Sequence, residues 1–150
     1  MIDMKAEVNE RQLAAMDRKL ERFARAMQDP TPANRRASIA LYGWTLRNFN
    51  AKGAMQGGWA PLHPRTVKEK ARIGKQQMLV RTGALRSNFT QFYSADNAGV
   101  GNELSYSKYH HFGTNRMPQR RLLPDRRNVL KIGLKVYGLY VKRQSQVANT

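Results

Sequence analysis

The sequence predicts a single-domain α+β fold, and three observations indicate it. Apolar residues recur at helical spacing in two long segments near the start of the chain and in one near its end. The stretch over residues 88–101 is rich in β-forming side chains and contains turn residues. The length of 150 residues suits one domain. Because the helical segments flank one strand-forming region, we expect helices packed on a small antiparallel β-sheet.

The first predicted helix runs from Asn9 to Met27. Its apolar residues lie three or four positions apart and therefore form one stripe. They are Leu13, Met16, Leu20, Phe23 and Met27. Residues 1–29 contain six basic and six acidic side chains, so this helix could lie against another copy without long-range repulsion. Since most amphipathic helices pack on their own domain, we favour docking of the stripe on the protein's own core.

A second helix is predicted to follow Asp29-Pro30-Thr31-Pro32, where two prolines end the first helix. Thr31 or Asn34 is the expected N-cap, and the helix should reach about Asn50. Its apolar stripe again has helical spacing. The stripe comprises Ile39, Tyr42, Leu46 and Phe49. We expect residues 1–50 to form an antiparallel helical hairpin.

Residues 51–58 contain three glycines and are predicted to form a flexible loop that is mobile before assembly. Trp59, two positions before Pro61, is expected to anchor this loop on the core. A short basic helix should follow from Thr66 to Lys75, with Thr66 as its N-cap, since Pro64 disfavours an earlier start.

A β-hairpin is predicted after Gly83, with a first strand around residues 89–93 and turn residues at 95–99. Val100-Gly101 begins the return strand. One or two helical turns are then expected from Tyr106 to Phe112, closed by Gly113.

The last predicted helix covers residues 125–145, and Asp125 is its expected N-cap. Val129, Ile132, Val136 and Tyr140 share one face of it. Gly133 and Gly138 weaken this helix, each by about 1 kcal/mol relative to alanine. Residues 146–150 are expected to be a frayed tail. Between the predicted helical hairpin and this helix, residues 59–124 should form the α+β core.

Composition and charge exclude several classes of protein. The chain has no cysteine, which excludes disulfides, thiol nucleophiles and thiolate metal sites. The net charge of +17 lies entirely beyond residue 29, where 21 basic side chains oppose four acidic ones. Such a field attracts polyanions or acidic protein surfaces, although a solvated surface accounts for it equally well. The start of the chain lacks signal-peptide features, and no apolar stretch approaches the roughly 20 residues that span a bilayer, so we expect no membrane partner.

Motifs of catalysis are not evident. His110 and His111 are adjacent, and neighbouring side chains in a helix point about 100° apart, which is a poor arrangement for two ligands of one metal ion. The sequence contains neither a Gly-x-Ser-x-Gly elbow nor a phosphate-binding loop. Its carboxylates crowd into the first helix instead of clustering where magnesium could bind. We therefore expect no enzyme activity, no metal and no cofactor.

Two basic segments remain as candidate interaction sites. The first contains Arg116, Arg120, Arg121, Arg126 and Arg127. Arginine can contact carboxylate or phosphate in a bidentate manner, and Pro118 and Pro124 stiffen the segment that presents these side chains. The second, on the short helix, contains Lys68, Lys70, Arg72 and Lys75. For both segments a solvated surface is the alternative interpretation.

Four motifs occur in order between residues 59 and 124, and they mark short elements with glycine, proline, aromatic residues and arginine. They are Trp59-Ala60-Pro61-Leu62, Leu79-Val80-Arg81-Thr82-Gly83-Ala84-Leu85, Tyr106-Ser107-Lys108-Tyr109-His110-His111-Phe112-Gly113 and Pro118-Gln119-Arg120-Arg121-Leu122-Leu123, with Pro124 following. This pattern resembles the virion morphogenesis, or tail completion, family of tailed bacteriophages, best known from Mu-like phages. One departure is His111, where many relatives carry glutamine.

The resemblance implies a structural protein of the phage neck, present in the virion and made in the host cytoplasm. It implies a homo-oligomeric ring, which we expect to be a hexamer, where the tail meets the head. The implied partners are other copies of the chain, a tail tube or tail terminator protein, head connector proteins and, weakly, genomic DNA.

A cyclic ring requires two different patches on each copy. The expected patches are the helical hairpin with the glycine-rich loop on one side, and the arginine-proline loop on the other. The alternative function is a freestanding basic nucleic-acid-binding protein, although we find no helix-turn-helix, zinc-finger or RNA-binding signature.

Overall fold

A central helix, α2 (Thr31–Asn50), organises the computed structural model, which describes residues 10–147. A two-stranded antiparallel sheet and the last helix both pack along α2. The elements in chain order are α1 (Glu10–Met27), α2, a 3₁₀ turn (Ala54–Gln56), α3 (Pro64–Arg72), α4 (Ala84–Ser87), β1 (Phe89–Tyr93), β2 (Ala98–Asn102), α5 (Ser107–Phe112) and α6 (Arg126–Val147). The predicted α+β class is confirmed.

Burial along α2 is broader than its predicted stripe. Of that stripe, only Phe49 is fully buried, and Ile39 is 48% exposed. The buried apolar residues of the helix are Ala33, Ala37, Leu41, Trp44 and Phe49. Small residues here let α6 and the sheet approach the same helix, so a single stripe underestimates how much of it is covered.

Asn34 holds the β-hairpin instead of capping α2. Its side-chain amide donates to the carbonyls of Ser94 and Ala95 at 2.8 and 2.9 Å, and its oxygen accepts from the Tyr137 hydroxyl of α6. The prediction that Asn34 or Thr31 is the N-cap is therefore wrong. The first turn is held by Asp29, whose side chain accepts from the Thr31 amide at 3.0 Å.

The predicted β-hairpin is confirmed. β1 and β2 pair in a register that places Phe89 opposite Asn102 and Tyr93 opposite Ala98. The connection closes with a hydrogen bond from the Ser94 amide to the Asn97 carbonyl at 2.8 Å.

A small apolar core lies where α2, α4, β1 and the loop before α6 meet. Its buried members are Phe49, Leu85, Phe89 and Leu122. Trp59 packs edge-on against Phe49 with ring centroids 5.3 Å apart, as expected for an anchor of the preceding loop. That loop contains the 3₁₀ turn, and its mobility before assembly stays a prediction.

The apolar stripe of α1 is largely exposed to solvent, so the expectation that it docks on the protein's own core is wrong. Leu13, Met16 and Leu20 are 45%, 53% and 57% exposed, whereas Phe23 is half-buried. α1 has its main contacts with α6, so it is not held by packing along α2 as a helical hairpin would be. The Tyr140 hydroxyl of α6 donates to the carbonyl of Asp29, just after α1.

Two other helix boundaries differ from the predicted ones. α3 begins at Pro64 because the His63 ring accepts from the Arg65 amide at 3.2 Å, and proline suits a first helical position. α6 continues to Val147, through part of the predicted frayed tail, and residues 148–150 lie outside the described residues. Asp125 caps α6 as predicted, since its side chain accepts from the Asn128 amide at 2.9 Å. Over residues 10–147, no helix combines the length and the hydropathy needed to cross a bilayer.

Candidate functional site

The four sequence motifs come together as walls of one cleft of about 860 Å³. Its apolar lining consists of Pro61, Leu62, Ile73, Leu79, Gly83, Ala84, Leu85, Met117 and Pro118. Its polar and charged lining consists of His63, Thr66, Glu69, Lys70, Arg81, Thr82, Tyr106, His110, Arg116 and Arg120. Each motif contributes to this lining, so residues far apart in sequence form one surface.

Arg120 fastens two of the motifs together from inside the cleft wall. It is only 4% exposed, and its Nε and Nη2 atoms donate to the carbonyls of Ala60 and Pro61 at 3.1 and 3.0 Å. Its main-chain amide donates to the His110 carbonyl at 2.7 Å, which adds a third motif. Burial lowers the pKa of the Arg120 guanidinium. The prediction that this arginine is presented to a partner on an exposed loop is therefore wrong.

The carbonyl of Arg121 collects hydrogen bonds from three separate parts of the chain. It accepts from Asn48 of α2 at 3.2 Å, from Gln56 at 3.1 Å and from the Trp59 indole at 2.9 Å. The side chain of Arg121 itself is exposed. The backbone of this residue thus positions the wall, while its guanidinium remains at the surface.

Both histidines of the third motif are half-buried in the wall, and His111 joins it to the fourth motif. The Nδ1 atom of His111 accepts from the amides of Leu122 and Leu123 at 3.1 and 3.4 Å, which requires a neutral ring. Burial, with a smaller contribution from Arg121, lowers the pKa of His111. Burial and the charge of Arg120 lower the pKa of His110. A glutamine oxygen at position 111 could also accept these amide hydrogens.

Lys70 is a second cation that the structure turns inward. It is 8% exposed, and its Nζ donates to the Val80 carbonyl at 2.7 Å. Burial, followed by the charge of Arg81, lowers its pKa. The lysine therefore ties α3 to the second motif, and the prediction of a surface interaction role for it is wrong.

The second motif builds a tight corner at the cleft. Leu79 has a left-handed backbone with φ of +57°, which costs an ordinary residue about 1–2 kcal/mol. Gly83 adopts φ of +89° at the start of α4, and the Thr82 hydroxyl accepts from the Ala84 amide at 3.3 Å. Leu85 then enters the core, so this motif connects the cleft to the apolar interior.

The remaining motif residues divide between the wall and the surface. Tyr106 packs edge-on against His110 with centroids 6.1 Å apart and lines the cleft. Gly113 has φ of +77°, and a Cβ there would lie 2.9 Å from the Gln119 amide nitrogen. Phe112 is 72% exposed, so its place in the motif does not reflect core packing. Pro124 is half-buried just before α6.

The two predicted basic segments meet at the cleft only in part. Lys70 of the short helix and Arg116 and Arg120 of the arginine-proline loop line it. The other predicted interaction residues are exposed and lie outside its lining. They are Lys68, Arg72, Lys75, Arg121, Arg126 and Arg127.

Sequence reasoning missed several residues that line the cleft, namely Glu69, Ile73, Arg81 and Met117. A signal for two of them was present on α3. Positions 66, 69, 70 and 73 share one helical face at spacings of three, one and three, and all four line the cleft.

Chemically, the cleft combines apolar walls with an excess of positive charge. Glu69 is the single carboxylate among its lining residues, and it lies 3.9 Å from Arg81 in an exposed ion pair. An extended protein segment with apolar side chains and a carboxylate would complement these walls.

Comparison with known families identifies the group of proteins that this chain resembles. Residues 11–136 match the phage virion morphogenesis family. The chain belongs to this family. No curated protein and no solved structure matches the chain. Every residue that lines the cleft lies within the matched range. Membership indicates a structural or assembly role in a phage virion.

Proposed function

We propose that this protein is a tail completion protein of the phage neck, which forms a homo-oligomeric ring where the tail joins the head. The observation that carries this proposal is the cleft built from the four motifs. Its walls have no evident catalytic constellation and are well suited to hold a segment of another virion component. The excess of positive charge on the whole chain favours acidic partner surfaces.

The proposed occupant of the cleft is a segment of a neighbouring neck or tail protein. Apolar contacts along Leu62, Ile73 and Met117 would supply the buried area. Arg81 and Arg116, both exposed at the rim, are placed to meet a carboxylate of that segment. The clamp formed by Arg120 keeps the walls in position before the partner arrives, which lowers the ordering cost of binding.

Phage particles provide the direct test of location. A phage that lacks this protein should accumulate filled heads and separate tails, and supplying the protein should restore joined particles. Electron microscopy of labelled particles should place it at the head–tail junction. Purified, complete virions without any copy of the polypeptide would refute the proposed location.

A pair of variants tests the cleft itself. Ile73→Asp with Arg116→Glu alters two lining residues that are largely exposed, so the fold should survive. Lys68→Glu, on the same helix but outside the cleft, is the control. We expect the double variant to fail to restore infectious particles and the control to restore them. Equal complementation by both would show that the cleft does not hold a partner.

The charge also supports a second candidate function, that of a nucleic-acid-binding protein. Arg126, Arg127 and Lys131 are exposed at the start of α6. Titration with duplex DNA at physiological salt separates the two functions. Nanomolar affinity with a steep salt dependence would favour nucleic-acid binding, whereas the neck protein should bind DNA weakly.

A further inference from the structure

The exposed apolar stripe of α1 is bordered by a row of acidic side chains. The row consists of Glu10, Asp17 and Glu21, which lie within about 40° of one another around the helix at 100° per residue. Viewed from the N-terminus, successive residues of an α-helix turn clockwise. In that direction the middle of the acidic row lies about 100° beyond the middle of the apolar stripe. This helix therefore presents an apolar surface with one negative edge.

The outer face of α6 also combines an exposed apolar surface with one charged edge, and here the charge is positive. Its apolar residues remain exposed. They are Leu130, Leu134 and Val141, which are 56%, 77% and 38% exposed. Tyr137 borders them on the side of α2, where its hydroxyl donates to Asn34. A row of exposed lysines borders them on the other side. The row consists of Lys131, Lys135 and Lys142, displaced by about 100° from the middle of these three apolar residues in the same rotational sense as the acidic row of α1.

Helical geometry decides how these two surfaces fit. Because both charged rows are displaced in the same sense, two parallel helices that face each other would place the rows on opposite sides. Reversing one helix brings both rows to the same side, where acidic and basic side chains meet. The two surfaces are therefore complementary in an antiparallel arrangement and not in a parallel one.

Residues 10–147 of the same chain leave these surfaces uncovered. Within that range α1 contacts α6, yet Leu20 remains 57% exposed and Leu134 remains 77% exposed. Residues 1–29 hold six acidic and six basic side chains and are neutral overall, whereas residues 30–150 hold four acidic and 21 basic ones. When two copies approach, residues 30–150 of one copy therefore repel the α1 region of the other less than they repel the rest of it.

We propose that α1 of one copy packs antiparallel on the outer face of α6 of the next copy. This proposal rests on the proposed ring and specifies its subunit contact. Apolar burial supplies most of the stability of the contact, and the charged rows select the antiparallel orientation, since exposed ion pairs alone contribute little. Each copy offers both patches, so the contact repeats from copy to copy and closes a ring if the rotation closes.

Cysteine cross-linking tests the orientation, and the natural chain contains no cysteine to interfere. Single-cysteine variants of different size are mixed in pairs, so that a mixed disulfide can form only between two chains. Leu13→Cys with Val141→Cys samples the antiparallel contact, and Leu13→Cys with Leu130→Cys samples the parallel one. Leu13→Cys with Lys68→Cys, on α3, gives the background.

We expect the antiparallel pair to cross-link at least several-fold above the background and the parallel pair to remain near it. A parallel pair that cross-links more strongly would overturn the orientation. Two pairs that both remain at background would overturn the contact.

Charge reversal tests whether the partner of each charged row is the opposite row of a second copy. One variant carries Glu10→Lys, Asp17→Lys and Glu21→Lys, and the other carries Lys131→Glu, Lys135→Glu and Lys142→Glu. Each variant alone should sediment mainly as a monomer while circular dichroism shows that it is folded. An equimolar mixture should recover the association of the natural chain, because opposite rows meet again. A natural chain that is monomeric at every concentration, or a mixture that stays monomeric, would refute the contact.

The outcomes separate this contact from the proposed function. Absence of the protein from the phage neck would refute the neck function and leave a contact seen in solution intact. A protein that is present in the neck, and whose charge-reversed variants still assemble normally, would refute the contact alone.

Discussion

Arg120 is a buried guanidinium whose side-chain partners are main-chain carbonyls. A buried donor of this kind stabilises the fold only while its acceptors stay in place, and the acceptors depend on it equally. Arg120 thereby couples the loop that follows Trp59 to the loop that precedes α6.

Arg120→Met should lower the free energy of unfolding by about 2–4 kcal/mol, because the carbonyls of Ala60 and Pro61 lose their donors while the volume is largely kept. Arg121→Met is the matched control. Its side chain is exposed, and the carbonyl that collects three hydrogen bonds is unchanged, so the effect should stay within about 0.5 kcal/mol. Urea unfolding measures both variants, and similar losses would contradict the clamp.

The lowered pKa of His111 makes stability depend on pH in a defined direction. The unfolded chain binds the proton near the ordinary value of about 6.5, whereas the folded chain resists protonation. The stability is therefore complete above that pH and decreases as the pH falls below it toward the folded-state pKa. His110, whose pKa is also lowered, contributes in the same sense.

His111→Gln should keep the acceptor for the Leu122 amide and remove one titrating group. We expect a thermal midpoint close to that of the natural chain at neutral pH and a smaller decrease on acidification. His111→Leu, which leaves the amide without this acceptor, should cost about 1–3 kcal/mol at neutral pH. Relative to the natural chain this cost should shrink on acidification, because a protonated His111 ring cannot accept the amide hydrogen either. An unchanged acid dependence in His111→Gln would show that this ring does not titrate on unfolding.

At the scale of the elements, the turn after α2 depends on a close approach of backbone to an aromatic ring. Gly53 has φ of +79°, and a Cβ there would lie 2.2 Å from the Trp59 ring. Gly57 has φ of +97°, and nothing lies within 4 Å of the corresponding position. Substitutions at these two glycines therefore distinguish the cost of steric contact from the cost of backbone strain.

Gly57→Ala should cost about 1–2 kcal/mol from strain alone, and Gly53→Ala should cost at least about 2 kcal/mol more because Trp59 must move. Denaturant unfolding gives the costs, and tryptophan fluorescence reports the displacement of the ring. Equal costs would mean that Trp59 adapts freely.

α6 contains two glycines at positions where alanine should stabilise the helix. Among residues 10–147, apart from chain neighbours and the nearby helix backbone, no atom lies within 4 Å of a Cβ built at Gly133 or Gly138, and both lie inside the helix. Gly133→Ala and Gly138→Ala should each raise the free energy of unfolding by about 0.4–1 kcal/mol. A loss of stability in calorimetry would indicate that these positions contact something in the folded protein.

Elements with strong local signals were predictable, and those defined by distant contacts were not. Proline after α1, the turn residues between β1 and β2, and Asp125 before α6 act on their immediate neighbours, and the structure has elements that match them. The burial of Lys70 and Arg120 depends on carbonyls 10 and about 60 residues away, which periodicity does not report. The cleft could not be predicted from the sequence for the same reason, although its four motifs were recognisable.

Repulsion among the positive charges of the whole molecule destabilises its folded state. The net charge of +17 belongs to a chain in which ion pairs such as Arg25–Glu21 and Arg81–Glu69 are exposed and therefore weak. Monovalent salt screens repulsion between surface charges, with a Debye length near 10 Å at about 0.1 M.

The thermal midpoint should therefore rise as sodium chloride is increased from about 0.02 M to about 0.2 M, and most of the change should occur at the lower concentrations. Differential scanning fluorimetry at low protein concentration measures the fold without contribution from self-association. A midpoint that falls with salt would show that attractive charge pairs outweigh the repulsion.

The cleft is assembled from residues 61–120, and its clamp joins positions about 60 residues apart. On the ribosome, a nascent polypeptide has no such surface until Arg120 and the Arg121 carbonyl have emerged. A chain that stops short of them keeps nearly all of the residues that line the cleft but lacks the hydrogen bonds that join its walls.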